Sequence, residues 1–437
     1  MLAASLIAGL LTAGSVAAAP PVPAVETIPA GTSITYANWH RYEAFMPPAM
    51  RKLFAGDGFW KMPSNVAIEV GPTTPIALPP KYLADTAKFA KQVSLVKSPQ
   101  GGYAPKGYVA GVPFPDFEKT PKLEPYEIFY DDLYRYTPRL QRELSCEYTA
   151  DSYGDVTLAS TVDSVYSQLT YLSDVGYPQT IPGSNGHSLV KYFEQIAPDA
   201  GKYTTSLIIE YADPERLADI YVYMPATRRP IRLSGAHQCS PEGGTDYVWD
   251  DSDLGPPSLP QEFEIKYLGE RRILALAHMN TAVLKSCGTS RGLPPEYFYP
   301  AAKGIAAWPK PALGKWELRS VYVIEMSRLP AFASNYCYSK RVLYVDKHTF
   351  FPLAFELYDT KGQLAKYFVE FIAPMRVPKT GVALSTNGAI ETFIVNFKDK
   401  HMTLNTAQDA CYNTECSANY FDISRYASPA GLMKIVQ

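Results

Sequence analysis

From Arg142 onward the chain alternates apolar and polar residues, the period-two spacing that puts every second side chain on one face of a strand. TTSLIIEYA (204–212) carries Leu207, Ile209 and Tyr211 on one face, and DIYVYM (219–224) continues with Tyr221 and Tyr223 after a turn at Asp213-Pro214. EFEIKYL (262–268) sets Phe263, Ile265 and Tyr267 opposite Glu262, Glu264 and Lys266. KWELRSVYVIEM (315–326) adds Trp316, Tyr322 and Ile324. A meander of YSKRVLYVD, FFPLAFELYD and QLAKYFVEFI follows, turning at Lys347-His348 and Thr360-Lys361-Gly362, and AIETFIVNF and HMTLN close the series. No helix recurs between the strands, so the pattern predicts a mainly β (α+β) fold with about nine to eleven strands in one large antiparallel sheet.

The first third reads differently, with 17 of the 38 prolines between residues 20 and 125. Proline removes a backbone donor and breaks helices, so residues 19–140 are expected to form an extended wrap with short helices. Three are expected: over WHRYEAF, over 81–96 and over 125–136. Residues 141–437 then form the β domain, with 235–260 and 287–311 as loops over it. A sheet of this kind has an apolar face to cover, and amphipathic helices are scarce. A bent sheet under lid loops would keep an apolar groove, lined on strand parity by the eleven residues from Leu207 to Ile324 named above; a fully packed β-sandwich is the alternative. Parity is fragile, because one residue of register moves every side chain to the other face.

Composition narrows the function. With 41 basic and 43 acidic residues in 437, no basic excess exists for nucleic acid. Charged residues are only 19% while tyrosines number 32, a balance that suits holding apolar matter against water. Residues 2–19 are apolar and end in Val16-Ala17-Ala18, a small-x-small pattern that reads as a signal peptide over 1–18, with a membrane anchor as the alternative; no Lys or Arg precedes Arg41. Six cysteines in an exported chain favour disulfides. Cys411 with Cys416 brackets a short loop, and Cys239 with Cys287 flanks one expected hairpin.

Local chemistry is sparse. No G-x-S-x-G, no G-x-G-x-x-G and no His pair at metal-ligand spacing occurs. Asp246, Asp250, Asp251 and Asp253 start like a calcium loop, but Pro256 and Pro257 follow and no twelfth-position Glu is in register, so a solvated loop is expected. Arg228, Arg229 and Arg232 could pair with those aspartates, and Arg319 with Glu325 reads as a structural ion pair. No metal or cofactor is expected.

Several stretches carry a resemblance: GYVAGVPFP (107–115), IYVYMPATRRPIRL (220–233), GTDYVWDD (244–251), FEIKYLGERR (263–272), RSVYVIEM (319–326) and, most specific, YSKRVLYVDKHTFFPLAFELYDTKGQLAKY (338–367). Together they resemble an exported Gram-negative family of unknown function, LolA/LolB-like, labelled outer membrane lipoprotein-sorting protein. The resemblance implies an antiparallel half-barrel with an apolar groove under helical lids, a periplasmic carrier of a lipid, acyl chain or sterol-like molecule, and partners such as an inner-membrane transporter of the resistance-nodulation-division type and an outer-membrane protein. It supplies no catalytic residues, and the chain departs from it in its cysteines and in the Pro-rich 287–311 segment. Two other readings stand beside a non-enzymatic carrier. One is an envelope hydrolase of a lipid or polymer using Asp250, Asp251 and His187 or His237. The other is a scaffold of an envelope complex that binds no small molecule.

Overall fold

A computed structural model describes residues 26–116, 122–233, 238–251, 258–281, 293, 295–379, 381–384 and 391–433; the signal peptide expected over 1–18, His237, Asp253, Pro256, Pro257 and Cys287 lie outside them. Thirteen strands form one antiparallel sheet and are numbered here in chain order. The first six are β1 (Leu140–Ala150), β2 (Val156–Gln168), β3 (His187–Ala197), β4 (Thr205–Tyr211), β5 (Asp219–Met224) and β6 (Arg229–Leu233). The rest are β7 (Phe263–Ala275), β8 (Glu317–Arg328), β9 (Tyr338–Asp346), β10 (Pro352–Asp359), β11 (Leu364–Phe371), β12 (Glu391–Asn396) and β13 (His401–Tyr412). Their spatial order is 6-5-4-3-2-1-13-12-11-10-9-8-7: two meanders joined where β1 pairs with β13, open at β6 and β7.

The sheet has two more strands than the upper expectation, and β1, β2, β3 and β6 are the additions within it. Both faces are covered, not one. On the outer face, the wrap over residues 28–76 packs Trp39, Phe54 and Trp60 against β8–β13, where Trp316 stacks on Trp308 at 5.8 Å. Glu356 of β10 accepts from the Ala49 amide at 2.7 Å, satisfying a free N–H in the first turn of α1 (Pro48–Ala55). The outer face of β2–β5 is covered by the C-terminal segment through Tyr426, Ala427 and Leu432.

The helices expected over 81–96 and 125–136 form with proline in the first turn, and the first of them ends early, at Phe89. WHRYEAF forms a 3-10 helix (Trp39–Phe45); α2 (Pro80–Phe89) is followed by a 3-10 turn and the strand Ser94–Lys97; α3 spans Glu124–Leu133. The α3 helix lies on the inner face of β7 and β8, burying Tyr126, Ile128 and Phe129, and the Tyr126 hydroxyl donates to the Phe263 carbonyl at 2.8 Å. Among the described residues, no helix is long and apolar enough to cross a membrane.

Candidate ligand-binding site

The inner face is occupied by α3 at one end and hollow at the other. A cavity of about 240 Å³ lies among β1–β5, β10–β13 and the chain segment 242–251. Val222 on β5 and Phe355 on β10 both line it, although eight strand spacings separate them. At about 4.8 Å per spacing, a flat sheet would put them roughly 38 Å apart, so the sheet must curl around the cavity.

The roof comes from the connection between the two edge strands. Residues 238–251 leave β6, cross the inner face before β7 begins, and place Thr245, Tyr247 and Trp249 on the cavity. Three aspartates pin this roof. Asp246 accepts from Asn396, His401 and Thr403 at 2.8 Å each. Asp250 accepts from Arg341, Tyr336 and Ser258, and Asp251 accepts from Tyr338 at 2.7 Å and Lys366 at 2.9 Å. Asp250 is 1% exposed and Asp251 3%. A carboxylate is buried at tolerable cost only with cations and donors around it, which is the arrangement here. The expectation of a solvated aspartate loop is therefore corrected: these side chains point inward and anchor the roof. The hydrogen bond to Asp246 raises the pKa of His401. Arg232 pairs instead with Asp219, Arg319 with Asp346 at 2.8 Å, and Glu325 with Lys340 at 2.7 Å.

One of the disulfides holds the roof. Cys411 and Cys416 are bridged, and Cys146 is disulfide-bonded. Cys239 pairs with Cys337, 98 residues on, and not with Cys287. The segment after β6 does not turn back as a hairpin but crosses to the start of β9, so its spatial neighbour is Cys337.

The floor interleaves polar and aromatic side chains. From β1 and β2, Glu143, Ser145, Glu147, Ser160 and Ser164 face the cavity. On the β10–β11 side, Phe355 and Phe368 stack at 4.1 Å with Tyr247 edge-on to Phe368, while Tyr166 and Phe193 meet edge-on at 5.7 Å beside Glu143 and Ser164. Glu370 receives a hydrogen bond from Thr392 at 2.7 Å, yet burial pushes its pKa up to about 8. Burial also raises Glu147, although Ser160 donates to it.

None of the eleven parity-derived residues lines this cavity. Leu207, Ile209, Tyr211, Tyr221 and Tyr223 belong to the opposite face, packed with the C-terminal segment. Tyr211 also borders a separate hollow of about 120 Å³ with Tyr82, Tyr108, Tyr134 and Tyr171. Phe263, Ile265, Tyr267, Tyr322 and Ile324 are on the inner face, in or against the cluster that α3 fills. Trp316 precedes β8 on the outer face. The parity rule assumed that the hollow side is the apolar side, whereas both faces are buried and the hollow side is the more polar one. The cavity residues carried a signal all the same: Gln141, Glu143, Ser145 and Glu147 alternate strictly, as polar side chains facing one way.

The residues suspected of hydrolysis are otherwise engaged. Asp250 and Asp251 hold Arg341 and Lys366. His187 meets Tyr211 edge-on, and its Nδ1 has no hydrogen-bond partner. Among the described residues, no group of His, Cys, Asp and Glu could hold a metal ion.

Residues 33–425 match the model of a family described as protein of unknown function (DUF1329), and the chain belongs to that family. No curated protein matches. Among solved structures, it is similar to a DUF1329 family protein from Desulfovibrio piger (15% identity, 70% of this chain and 99% of that one, TM-score 0.46). A second is an outer membrane lipoprotein-sorting protein domain from Vibrio parahaemolyticus (16% identity, 68% and 96%, TM-score 0.43). A third is a LolA superfamily protein from Nitrosomonas europaea (13% identity, 68% and 96%, TM-score 0.36). Likeness at this level does not carry a function across.

Proposed function

We propose that this protein is an exported, non-enzymatic binding protein that carries one amphiphilic molecule in the roofed groove of its sheet, within an envelope transport system that includes membrane partners. The observation that carries the reading is the roofed hollow itself. Its chain has pinned a roof across the inner face with three buried aspartates, and about 240 Å³ beneath that roof is left unfilled by side chains. Protein interiors otherwise pack densely, and an unfilled hollow forfeits contacts along its lining. The volume lies near the lower end of small-molecule pockets, which suits one chain or a small ring system. Aromatic rings interleaved with hydroxyl and carboxyl groups match a molecule with an apolar body and a polar head. Disulfides support export to an oxidising compartment.

Burial of roughly 300 Å² of apolar cargo at about 25 cal/mol per Å² gives about 7 kcal/mol before association costs, in the range of reversible capture. Protein purified from its native host and extracted with organic solvent should yield a stoichiometric amphiphile detectable by mass spectrometry. A clean extract from protein that also fails to bind a neutral hydrophobic dye would overturn the reading.

A further inference from the structure

The cavity wall has a one-sided charge. Five carboxyl groups line it, from Glu143, Glu147, Glu242, Asp251 and Glu370, and among the described residues no Lys, Arg or His does. Lys366 holds Asp251 at 2.9 Å and the Asp246 carbonyl at 2.6 Å, and Arg341 holds Asp250 and comes within 3.9 Å of Asp251, so both cations are engaged by the roof aspartates. An anionic head, whether carboxylate or phosphate, would meet carboxyl groups and no Lys, Arg or His among the described wall residues, and its desolvation would go uncompensated. Hydrogen-bond capacity points the same way. Glu143 acts as an acceptor, taking bonds from Gln141 at 2.5 Å and Tyr166 at 3.3 Å. Tyr166, Phe193, Tyr247 and Trp249 add ring faces and edges around the same space. Ring faces together with carboxylates attract a cation and repel an anion.

We infer that the groove selects a cationic amphiphile, its ammonium head held among Glu143, Glu147 and the rings of Tyr166 and Phe193 and its apolar body against Phe355 and Phe368. The inference rests on the binding reading above and sharpens it by excluding fatty acids and phospholipid head groups as the bound part. Glu147 and Glu370 are buried enough to take up protons, so a bound ammonium would displace protons from them and pair with the carboxylates left behind.

The test uses one chain length with three heads: dodecyltrimethylammonium, dodecanol and dodecanoate, each titrated below its micellar concentration against the intact protein loaded with Nile red, a neutral dye. Displacement should be at least about tenfold tighter for the ammonium than for the carboxylate, a difference of about 1.4 kcal/mol, with the alcohol between them. The double variant Glu143→Gln, Glu147→Gln, read as the ratio of ammonium to carboxylate displacement at its own dye affinity, should lose most of the preference for the ammonium. Equal or tighter binding of dodecanoate, or a preference unchanged in the double variant, would overturn the inference while leaving a carrier. Failure of the protein to take up Nile red or any of the three would overturn the binding reading along with it.

Discussion

At the scale of single residues, the inner face owes its character to carboxyl groups held away from water. Glu370 has a folded pKa of about 8 against an ordinary value of 4.5, so folding favours its protonated form. Its contribution to stability is full below the ordinary value and is lost as pH rises toward about 8, with a slope of about 1.4 kcal/mol per pH unit inside that window. Glu370→Gln should flatten the dependence of denaturant-measured stability between pH about 5 and about 8, keeping the hydrogen bond with Thr392; parallel curves for the two proteins would show that the group is not buried as described. Asp250 works in the opposite sense, as the acceptor that makes the buried Arg341 tolerable. Asp250→Ala leaves that guanidinium short of its counter-charge and should cost about 3–5 kcal/mol in urea unfolding, whereas a solvated aspartate would cost nearly nothing.

At the scale of elements, what could be read in the sequence follows the chemistry of each strand. DIYVYM and YSKRVLYVD begin and end where their patterns do, because one face meets a hydrophobic layer and the other shows enough contrast to fix the phase. The β1, β2 and β3 strands were harder to read because Glu, Ser and Gln are mixed with Val162, Tyr166 and Phe193 at their inward positions, and polar inward positions look like surface until the hollow they face is known. Which face would be hollow could not be read at all, since that depends on α3 and the roof filling the rest. The GYVAGVPFP stretch does have a local explanation. Gly111 has φ +82°, and a Cβ there would sit 2.4 Å from the Thr86 amide nitrogen of α2. Gly111→Ala should therefore destabilise by at least about 1–3 kcal/mol, read as a lowered Tm. The roof depends on its bridge as well. Replacing Cys239 and Cys337 by serine frees a 98-residue loop in the unfolded chain and should cost about 2–5 kcal/mol, with faster hydrogen exchange across 238–251.

At the scale of the whole molecule, two meanders share one curled sheet, and the chain between their free edges is folded back across the inside as a roof. The N-terminal wrap and the C-terminal segment cover the outside, and a space of about 240 Å³ is left within the curl under that roof. Ser164 is the most direct handle on it: it is buried, faces the cavity from β2 and lies between Glu143 and Phe193 in the strand register. A tryptophan there would project into empty space, avoiding the about 1–3 kcal/mol that overpacking costs in a dense core. The measurement is Nile red affinity together with Tm for the native protein and Ser164→Trp. Dye affinity in the variant should fall at least about tenfold with Tm unchanged or raised. Undiminished dye binding would place the ligand site elsewhere, and a collapse in Tm would show that no hollow was there to fill.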